Sequence, residues 1–129
     1  MKPEKIKYKN QREVLKKFLN FIEPFLKKYG NEIKEAYLWG SLVEGTFGLY
    51  KKEYMGQIGS DVDLVVFLKK DSDIPSEWKS LNTKKSWFSL YKEKDFRVFR
   101  YMKNPHKVDL IVVNKNKTPP INKDFKRVR

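Results

Sequence analysis

Apolar residues recur every three or four positions near the start of the chain, and lysines fill most of the positions between them. This spacing over residues 10–28 predicts an amphipathic helix with one buried face. Asn10 followed by Glu13 is typical of a helix start, and Gly30 is typical of the residue just after a helix end. Because Pro24 lies inside the pattern, we expect a kink or a break there.

Two apolar runs after this helix predict strands. The run IKEAYLWGS predicts a strand that ends at Gly40, and DVDLVVFLKK predicts a second strand that opens with two aspartates. The segment between them, residues 41–60, contains four glycines and little periodicity. We therefore expect at most a short helical turn there, followed by a loop.

The remaining segments are less regular. Residues 71–95 are ambiguous, because Ile74 and Pro75 indicate a loop whereas the aromatic run 87–91 fits one face of a helix. The run FRVFRYMKNPHKVDLIVV predicts two strands joined by a turn at KNPHK. The polar, basic residues 114–129 indicate a tail or a docking segment that lies outside the core.

Composition limits the number of domains and the kinds of chemistry. A chain of 129 residues, 40% of them hydrophobic, has enough material for one core and therefore for one α/β or α+β domain. The absence of cysteine excludes disulfides, thiolate metal sites and cysteine nucleophiles. His106 is the single histidine, and its place in the predicted turn indicates a turn residue and not an acid or base.

The charge of the chain is strongly positive. It has 29 Lys and Arg residues against 16 Asp and Glu residues, a formal net charge of +13. This balance favours a polyanionic partner such as a nucleic acid, a nucleotide or an acidic protein, and a lysine-rich solvated surface is the equally weighted alternative. Alternating Arg97 and Arg100 are interpreted in the same two ways, with a solvent-facing edge strand preferred over a phosphate contact.

No membrane partner is expected from the sequence. The longest apolar runs, LVVFL and LIVV, are far shorter than the roughly 20 residues that a membrane-spanning helix needs. The first residues, MKPEKIKYKNQ, lack the apolar centre of a signal peptide. We therefore expect a cytoplasmic protein.

Three aspartates stand at the openings of apolar strands. Side chains two residues apart on a strand share a face, so Asp61 and Asp63 point together at a spacing of about 7 Å. If the strand that carries Asp109 lies beside theirs, the three carboxylates surround one point. Such crowding raises carboxyl pKa values unless cations are bound, and hard divalent ions such as Mg²⁺ are suited to oxygen ligands.

A Gly-Ser pair offers a place for phosphate groups. Gly40 and Ser41 follow a predicted strand and precede a predicted helical turn, where backbone N–H groups and the serine hydroxyl are able to bind anionic oxygens. The second pair, Gly59 and Ser60, directly precedes the acids and is interpreted as part of the turn that presents them. Neither pair matches the P-loop or kinase signatures.

Together, the motifs GSLVEGT, GSDVDLVV and KVDLIVV resemble the nucleotidyltransferase domain of the DNA polymerase β superfamily, in its minimal, antitoxin-like form. The resemblance covers roughly residues 39–113 and implies a small mixed β-sheet flanked by helices. Together with the composition and the apolar spacing described above, it leads us to expect a single domain over 1–129, with a helix at 10–28, a catalytic core at 33–113 and a basic tail at 114–129.

The resemblance assigns expected roles to five residues. Gly40 and Ser41 are expected to bind the phosphates of an NTP, with ATP the expected nucleotide. Asp61 and Asp63 are expected to hold two Mg²⁺ ions, and Asp109 to complete the metal site and help to activate the acceptor hydroxyl.

The implied activity is transfer of a nucleoside monophosphate to a hydroxyl of a protein or RNA. The expected context is a toxin–antitoxin pair with a small helical HEPN-type partner. A non-catalytic partner-binding or RNA-binding module of the same fold is the alternative. Two features depart from the family pattern: residues 42–60 are unusually long, and Glu44 stands where an arginine is common, with Lys51 or Lys52 the candidate replacement.

Overall fold

The structure, a computed structural model, describes residues 2–129. Two helices and a set of short and long strands follow one another along this part of the chain. Their bounds are β1 (Lys5–Lys7), α1 (Gln11–Lys28), β2 (Ile33–Trp39), α2 (Ser41–Glu44), β3 (Gly48–Tyr54), β4 (Gln57–Gly59), β5 (Val62–Leu68), β6 (Trp78–Lys84), β7 (Phe88–Glu93), β8 (Val98–Tyr101), β9 (Asn104–Val113) and β10 (Lys126–Arg127).

The predicted N-terminal helix is confirmed as α1. Its N-cap is Asn10, whose side-chain oxygen accepts a hydrogen bond from the Glu13 backbone N–H at 3.0 Å. Of the kink or break predicted at Pro24, the break does not occur, since the helix continues to Lys28. Proline removes one backbone donor, but the buried face continues on both sides of it and keeps the helix packed; that face consists of Val14, Phe18, Ile22 and Phe25.

The cap at Asn10 makes a measurable contribution to stability. We expect Asn10→Ala to destabilise the protein by about 1 kcal/mol, because the Glu13 N–H loses its acceptor. Thermal unfolding measures the change. The control is Asn20→Ala, at an exposed position inside the helix, which is expected to leave the midpoint unchanged or slightly raised because alanine favours helices. An equal loss in both variants would contradict the capping role.

A mixed sheet forms the centre of the fold. Its strand order is β10-β2-β5-β9-β7-β6, and β8 pairs with residues 104–107 at the start of β9. Strands β5 and β9 are parallel, and the other neighbours are antiparallel. A separate three-stranded sheet has the order β1-β3-β4. The predicted α+β class, a mixed sheet with flanking helices, is confirmed.

Two apolar clusters cover the faces of the central sheet. Helix α1 packs on one face, where residues such as Leu64 and Leu110 join the helix in the main core. On the other face, Val65 and Ile111 form a smaller cluster under Ile121 and Phe125. The continuous apolar runs of β5 and β9 are explained by this burial on both sides.

Residues 41–60 and 71–95 differ from the sequence prediction. A short helix, α2, does follow Gly40, but the rest of residues 41–60 forms the hairpin β3–β4 in place of a loop. Residues 78–93 form the antiparallel pair β6–β7, so the helix interpretation of 87–91 is wrong. Both hairpins carry many lysines and short apolar stretches, which hides the two-residue period of a strand.

The C-terminal part also needs correction. The hairpin β8–β9 turns at Met102 and Lys103, both with positive φ, and shares only Lys103 with the predicted KNPHK turn, whose other residues belong to β9. A two-residue turn in which both residues have positive φ has a backbone twist that matches the twist of the strands it joins. Residues 114–129 pack on the second sheet face, and β10 pairs with β2 at the sheet edge. The interpretation as a tail is therefore wrong, and the docking alternative describes the segment.

Among residues 2–129, neither helix has the length and apolar character that a membrane span requires.

Candidate active site

The aspartates of β5 and β9 lie side by side. In the parallel pairing of these strands, Asp63 is the direct partner of Asp109, as Val62 is of Val108. Backbones of neighbouring strands are about 4.8 Å apart, so the two side chains leave the sheet next to each other on the same face. Both are half-buried, whereas Asp61 is exposed just before β5 begins.

Burial and crowding of the carboxyl groups raise the pKa values of Asp63 and Asp109. Burial, together with the charges of Asp109 and Asp61, raises the pKa of Asp63 from 3.8 to about 7. Burial and the charge of Asp61 also raise the pKa of Asp109, against the opposing effect of Lys107 and Lys92. The sequence prediction is therefore confirmed for Asp109 beside Asp63, while Asp61 is near enough to influence the pKa values of both.

The donor set suits a hard divalent cation. Within residues 2–129, no Lys or Arg forms an ion pair with Asp61, Asp63 or Asp109. Across the same part of the chain, no three or more His, Asp or Glu side chains already stand close enough to hold a metal ion. Carboxylate oxygens are nevertheless the ligands that Mg²⁺ prefers, and a cation would relieve the repulsion that, after burial, raises the pKa values of Asp63 and Asp109. The residues therefore fit the ion.

Gly40 brings the backbone close to the acids. Its φ of 90° lies in the left-handed region, and a Cβ placed on it would stand 3.3 Å from Oδ2 of Asp63. The Gly40 carbonyl accepts hydrogen bonds from the N–H groups of Val43 and Glu44, each at 3.0 Å, as α2 begins. The first Gly-Ser pair therefore adjoins the carboxylates, with Ser41 as the first residue of α2.

The second Gly-Ser pair is a structural junction. The Ser60 hydroxyl donates to the Gly48 carbonyl at 3.0 Å, and its oxygen, Oγ, accepts a hydrogen bond from the Gly48 N–H at 3.2 Å. Gly59 packs so closely on β9 that a Cβ there would stand 2.4 Å from the Pro105 carbonyl oxygen. This pair ties the small sheet to β9 directly before Asp61.

His106 is part of the same junction, although the sequence placed it in a turn. It is fully buried in β9, and its Nδ1–H donates to the Ser60 carbonyl at 2.8 Å. This assignment leaves Nε2 as the acceptor for the Tyr8 hydroxyl, also at 2.8 Å. Burial lowers the pKa of His106, so the neutral ring holds the backbone next to Asp61 in place.

Gln57 was not identified from the sequence. Its side-chain N–H₂ group donates to Asp61 Oδ1 and, at 2.9 Å, to the Gly59 carbonyl. Hairpin β3–β4 thereby contacts the first acid directly. The only signal available was a polar residue shortly before the D-x-D motif, which is too common to be informative.

The basic residue near Glu44 differs from the two proposed from the sequence. Lys51 is engaged by Glu4, with Nζ 2.6 Å from Oε2, and Lys52 is exposed. Lys5 lies near Glu44, and burial followed by the charge of Lys2 lowers its pKa. Arg97 and Arg100 are both exposed, as the edge-strand interpretation predicted.

Comparisons with known proteins give one match, to a family model. No curated protein and no solved structure matches the chain. A family model described as "Polymerase beta, Nucleotidyltransferase" matches residues 20–127, a range that contains all three aspartates and both Gly-Ser pairs. The chain therefore belongs to the polymerase β nucleotidyltransferase family.

Proposed function

We propose that this protein is a Mg²⁺-dependent nucleotidyltransferase that moves a nucleoside monophosphate from an NTP, ATP in the first instance, to a hydroxyl group. The observation that carries the proposal is the direct pairing of Asp63 with Asp109 beside Asp61. Crowded carboxylates without a cationic partner among residues 2–129 suit a substrate that arrives with bound metal.

In the proposed reaction, the acceptor oxygen forms a bond to the α-phosphorus of the NTP. The bond from that phosphorus to its bridging oxygen breaks, and the electron pair leaves with pyrophosphate. Asp109, whose pKa burial raises, is the proposed acceptor of the hydroxyl proton. Gly40 and Ser41 are the proposed contacts for the β and γ phosphates.

Asp61, Asp63 and Asp109 are the proposed metal ligands. Two Mg²⁺ ions would supply positive charge to the phosphates and to the leaving pyrophosphate. The protein's own contribution is to hold the acids: the strand pairing positions Asp63 and Asp109, while Gln57 and the Ser60–His106 junction position Asp61.

The proposed acceptor is a hydroxyl of an RNA or of a partner protein. For a protein acceptor, the family resemblance favours a small helical HEPN-type toxin that the transfer would neutralise. The positive charge of the chain, +13, is compatible with either an RNA or an acidic partner surface.

Nucleotide transfer is tested with each of the four α-labelled NTPs, with Mg²⁺ or with EDTA, in the presence of total RNA or the product of a neighbouring gene. We expect Mg²⁺-dependent label on one acceptor, and loss of the label in Asp61→Asn/Asp63→Asn. The matched control is Asp71→Asn/Asp73→Asn, which changes an exposed aspartate pair of the same spacing and should transfer normally.

The opposite result would favour the non-catalytic alternative. If no NTP labels any acceptor, and the Asp61→Asn/Asp63→Asn variant still binds RNA or the partner as the wild type does, the chain acts as a binding module. Label that persists in this variant would also contradict the proposed role of the acids.

A further inference from the structure

Four lysines line one pocket at the end of the central sheet that is remote from the aspartates. The pocket has a volume of about 370 Å³ and lies beside Phe67, Leu68 and Val113, where the parallel strands β5 and β9 end. Asp63 is four residues before Phe67 on β5, about 13 Å away at the ordinary rise of a strand. The pocket is therefore separate from the candidate active site. We call it the lysine pocket, and its cations are Lys34, Lys70, Lys115 and Lys117.

The two loops that form this pocket are fixed to each other. Lys115 Nζ donates hydrogen bonds to the backbone carbonyls of Lys70 at 2.9 Å and of Ser72 at 2.6 Å, which joins the loop after β9 to the loop after β5. The neighbouring Asn114 is anchored as well, since its backbone N–H donates to the Trp87 carbonyl at 2.8 Å. Hydrogen bonds therefore hold the wall of the lysine pocket in place.

The lysine pocket has no negative charge to balance its cations. Among the described residues that line it, none is Asp or Glu. Within residues 2–129, none of its four lysines forms an ion pair with a carboxylate, although Asp73 lines the adjoining cavity. The two carbonyls bonded to Lys115 are neutral and leave its charge uncompensated. Cations gathered in this way repel one another, and an anionic ligand would relieve that repulsion.

We propose that the lysine pocket is a second nucleotide site, which binds a nucleoside polyphosphate independently of the aspartates. Lysine binds phosphate as a point charge, and four such charges around one cavity suit a ligand that carries several charges in a single group. Phe67 lines the same pocket and is half-buried, so its ring offers a surface on which a base stacks. Binding here requires none of the residues proposed for nucleotidyl transfer.

A strand of RNA fits the lysine pocket less well than a free nucleotide. RNA carries one phosphate charge per nucleotide, spread along the strand, whereas the four lysines line a single cavity. The volume of about 370 Å³ lies near the lower end of the roughly 300–1,000 Å³ found for small-ligand sites. A polyphosphate chain concentrates its charges in a volume of this kind.

Nucleotide binding is tested by calorimetric titration of the full chain with ATP in EDTA. Without a metal ion, the crowded aspartates repel the triphosphate, so binding under these conditions reports on the lysine pocket. We expect one ATP to bind per chain, inorganic tripolyphosphate to bind more weakly, and adenosine to give no detectable binding. The affinity for ATP should fall as salt is added, because the contacts are ionic.

Two variants of the pocket test the lysines themselves. Lys34→Gln/Lys70→Gln/Lys117→Gln spares Lys115, whose side chain joins the two loops. This variant is expected to lower the affinity for ATP by about tenfold or more, since it removes three of the four charges. Lys34→Arg/Lys70→Arg/Lys117→Arg keeps the charge and should bind ATP nearly as the wild type does. Thermal unfolding confirms that each variant is folded.

Two further variants serve as controls. Lys9→Gln/Lys16→Gln/Lys94→Gln removes the same charge from exposed positions outside the pocket and should keep most of the affinity for ATP. Asp61→Asn/Asp63→Asn changes the candidate active site and should bind ATP in EDTA as the wild type does. Equal losses in the glutamine variants of the pocket and of the control positions would reduce the result to a general charge effect and overturn the site.

The remaining outcomes separate the lysine pocket from the proposed function. If the wild type transfers nucleotide but does not bind ATP in EDTA, the second site is overturned and the function stands. If ATP binding depends on the lysines and no transfer occurs, the site stands and the transferase activity fails. Tighter binding of a short oligouridine than of ATP, with the same dependence on the lysines, would replace the nucleotide by RNA and contradict the proposal.

Discussion

Asp63→Asn is expected to make the metal-free protein more stable near pH 8 and, at the same time, to abolish nucleotide transfer. In the folded wild type, burial and the neighbouring acids raise the pKa of Asp63 from 3.8 to about 7. Ionising this side chain therefore costs on the order of 4 kcal/mol in the folded state. Asparagine keeps the size of the side chain without the charge.

The direction of the pH dependence follows from proton binding. Between about pH 4 and pH 7, the folded protein holds a proton on Asp63 that the unfolded chain has released. The stability of the wild type therefore falls as the pH rises through this range. The stability gained by Asp63→Asn should be close to zero below pH 4 and largest above pH 7.

Thermal unfolding in EDTA, measured at several pH values, checks this expectation. The control is Asp73→Asn, which removes an exposed carboxylate and should give no pH-dependent gain. Equal midpoints for the wild type and Asp63→Asn near pH 8 would contradict the raised pKa. Adding Mg²⁺ should stabilise the wild type more than the variant, because only the folded wild type has the complete acid set for the ion.

The loss of activity in Asp63→Asn should be about a thousandfold or more. Charge stabilisation at a metal-dependent phosphoryl transfer contributes several kcal/mol to the rate. A variant that is more stable and inactive would identify Asp63 as a residue retained for chemistry at a cost to folding. A variant that is more stable and fully active would contradict the proposed role of Asp63 in transfer.

Gly59→Ala is expected to destabilise the protein by roughly 3 kcal/mol. The new Cβ would stand 2.4 Å from the Pro105 carbonyl oxygen and 2.7 Å from Nδ1 of His106. Neither atom is free to move, because β9 pairs with β8 at Pro105 and hydrogen bonds hold both nitrogens of the His106 ring. Strand β4 must therefore separate from β9, which displaces the backbone before Asp61.

Thermal unfolding should show a midpoint about 10 °C below that of the wild type, and nucleotide transfer should fall because Asp61 is misplaced. Ile58→Ala is the neighbouring control: Ile58 is 51% exposed, and its replacement should change the midpoint by little. An unchanged midpoint in Gly59→Ala would mean that the close contact between β4 and β9 does not form in solution.

Several elements could be predicted because their signals are local. The buried face of α1 repeats with the helical period, and its Asn10 cap is a neighbouring residue. Strand β5 is a nearly continuous apolar run because helix α1 covers one face of the sheet and the C-terminal segment covers the other. In such segments the short-range pattern and the final burial agree, so the pattern is sufficient.

The elements that could not be predicted depend on distant partners. Hairpin β3–β4 is supported by β1 and by the hydrogen bonds between Gly48 and Ser60. The segment 114–129 looks like a tail because its docking residues, Ile121 and Phe125, are few and widely spaced. Such contacts join residues far apart in the chain, and no short-range pattern records them.

The sequence by itself determined the composition of the site: a Gly-Ser pair after a strand, a D-x-D motif at the start of the next, and a third aspartate before a later apolar run. Only the tertiary structure decided that Asp63 and Asp109 are direct partners and that Gln57 and His106 support Asp61. The physical reason is that strand register and the meeting of separate hairpins arise from long-range pairing, whereas a motif records only the order of residues along one strand.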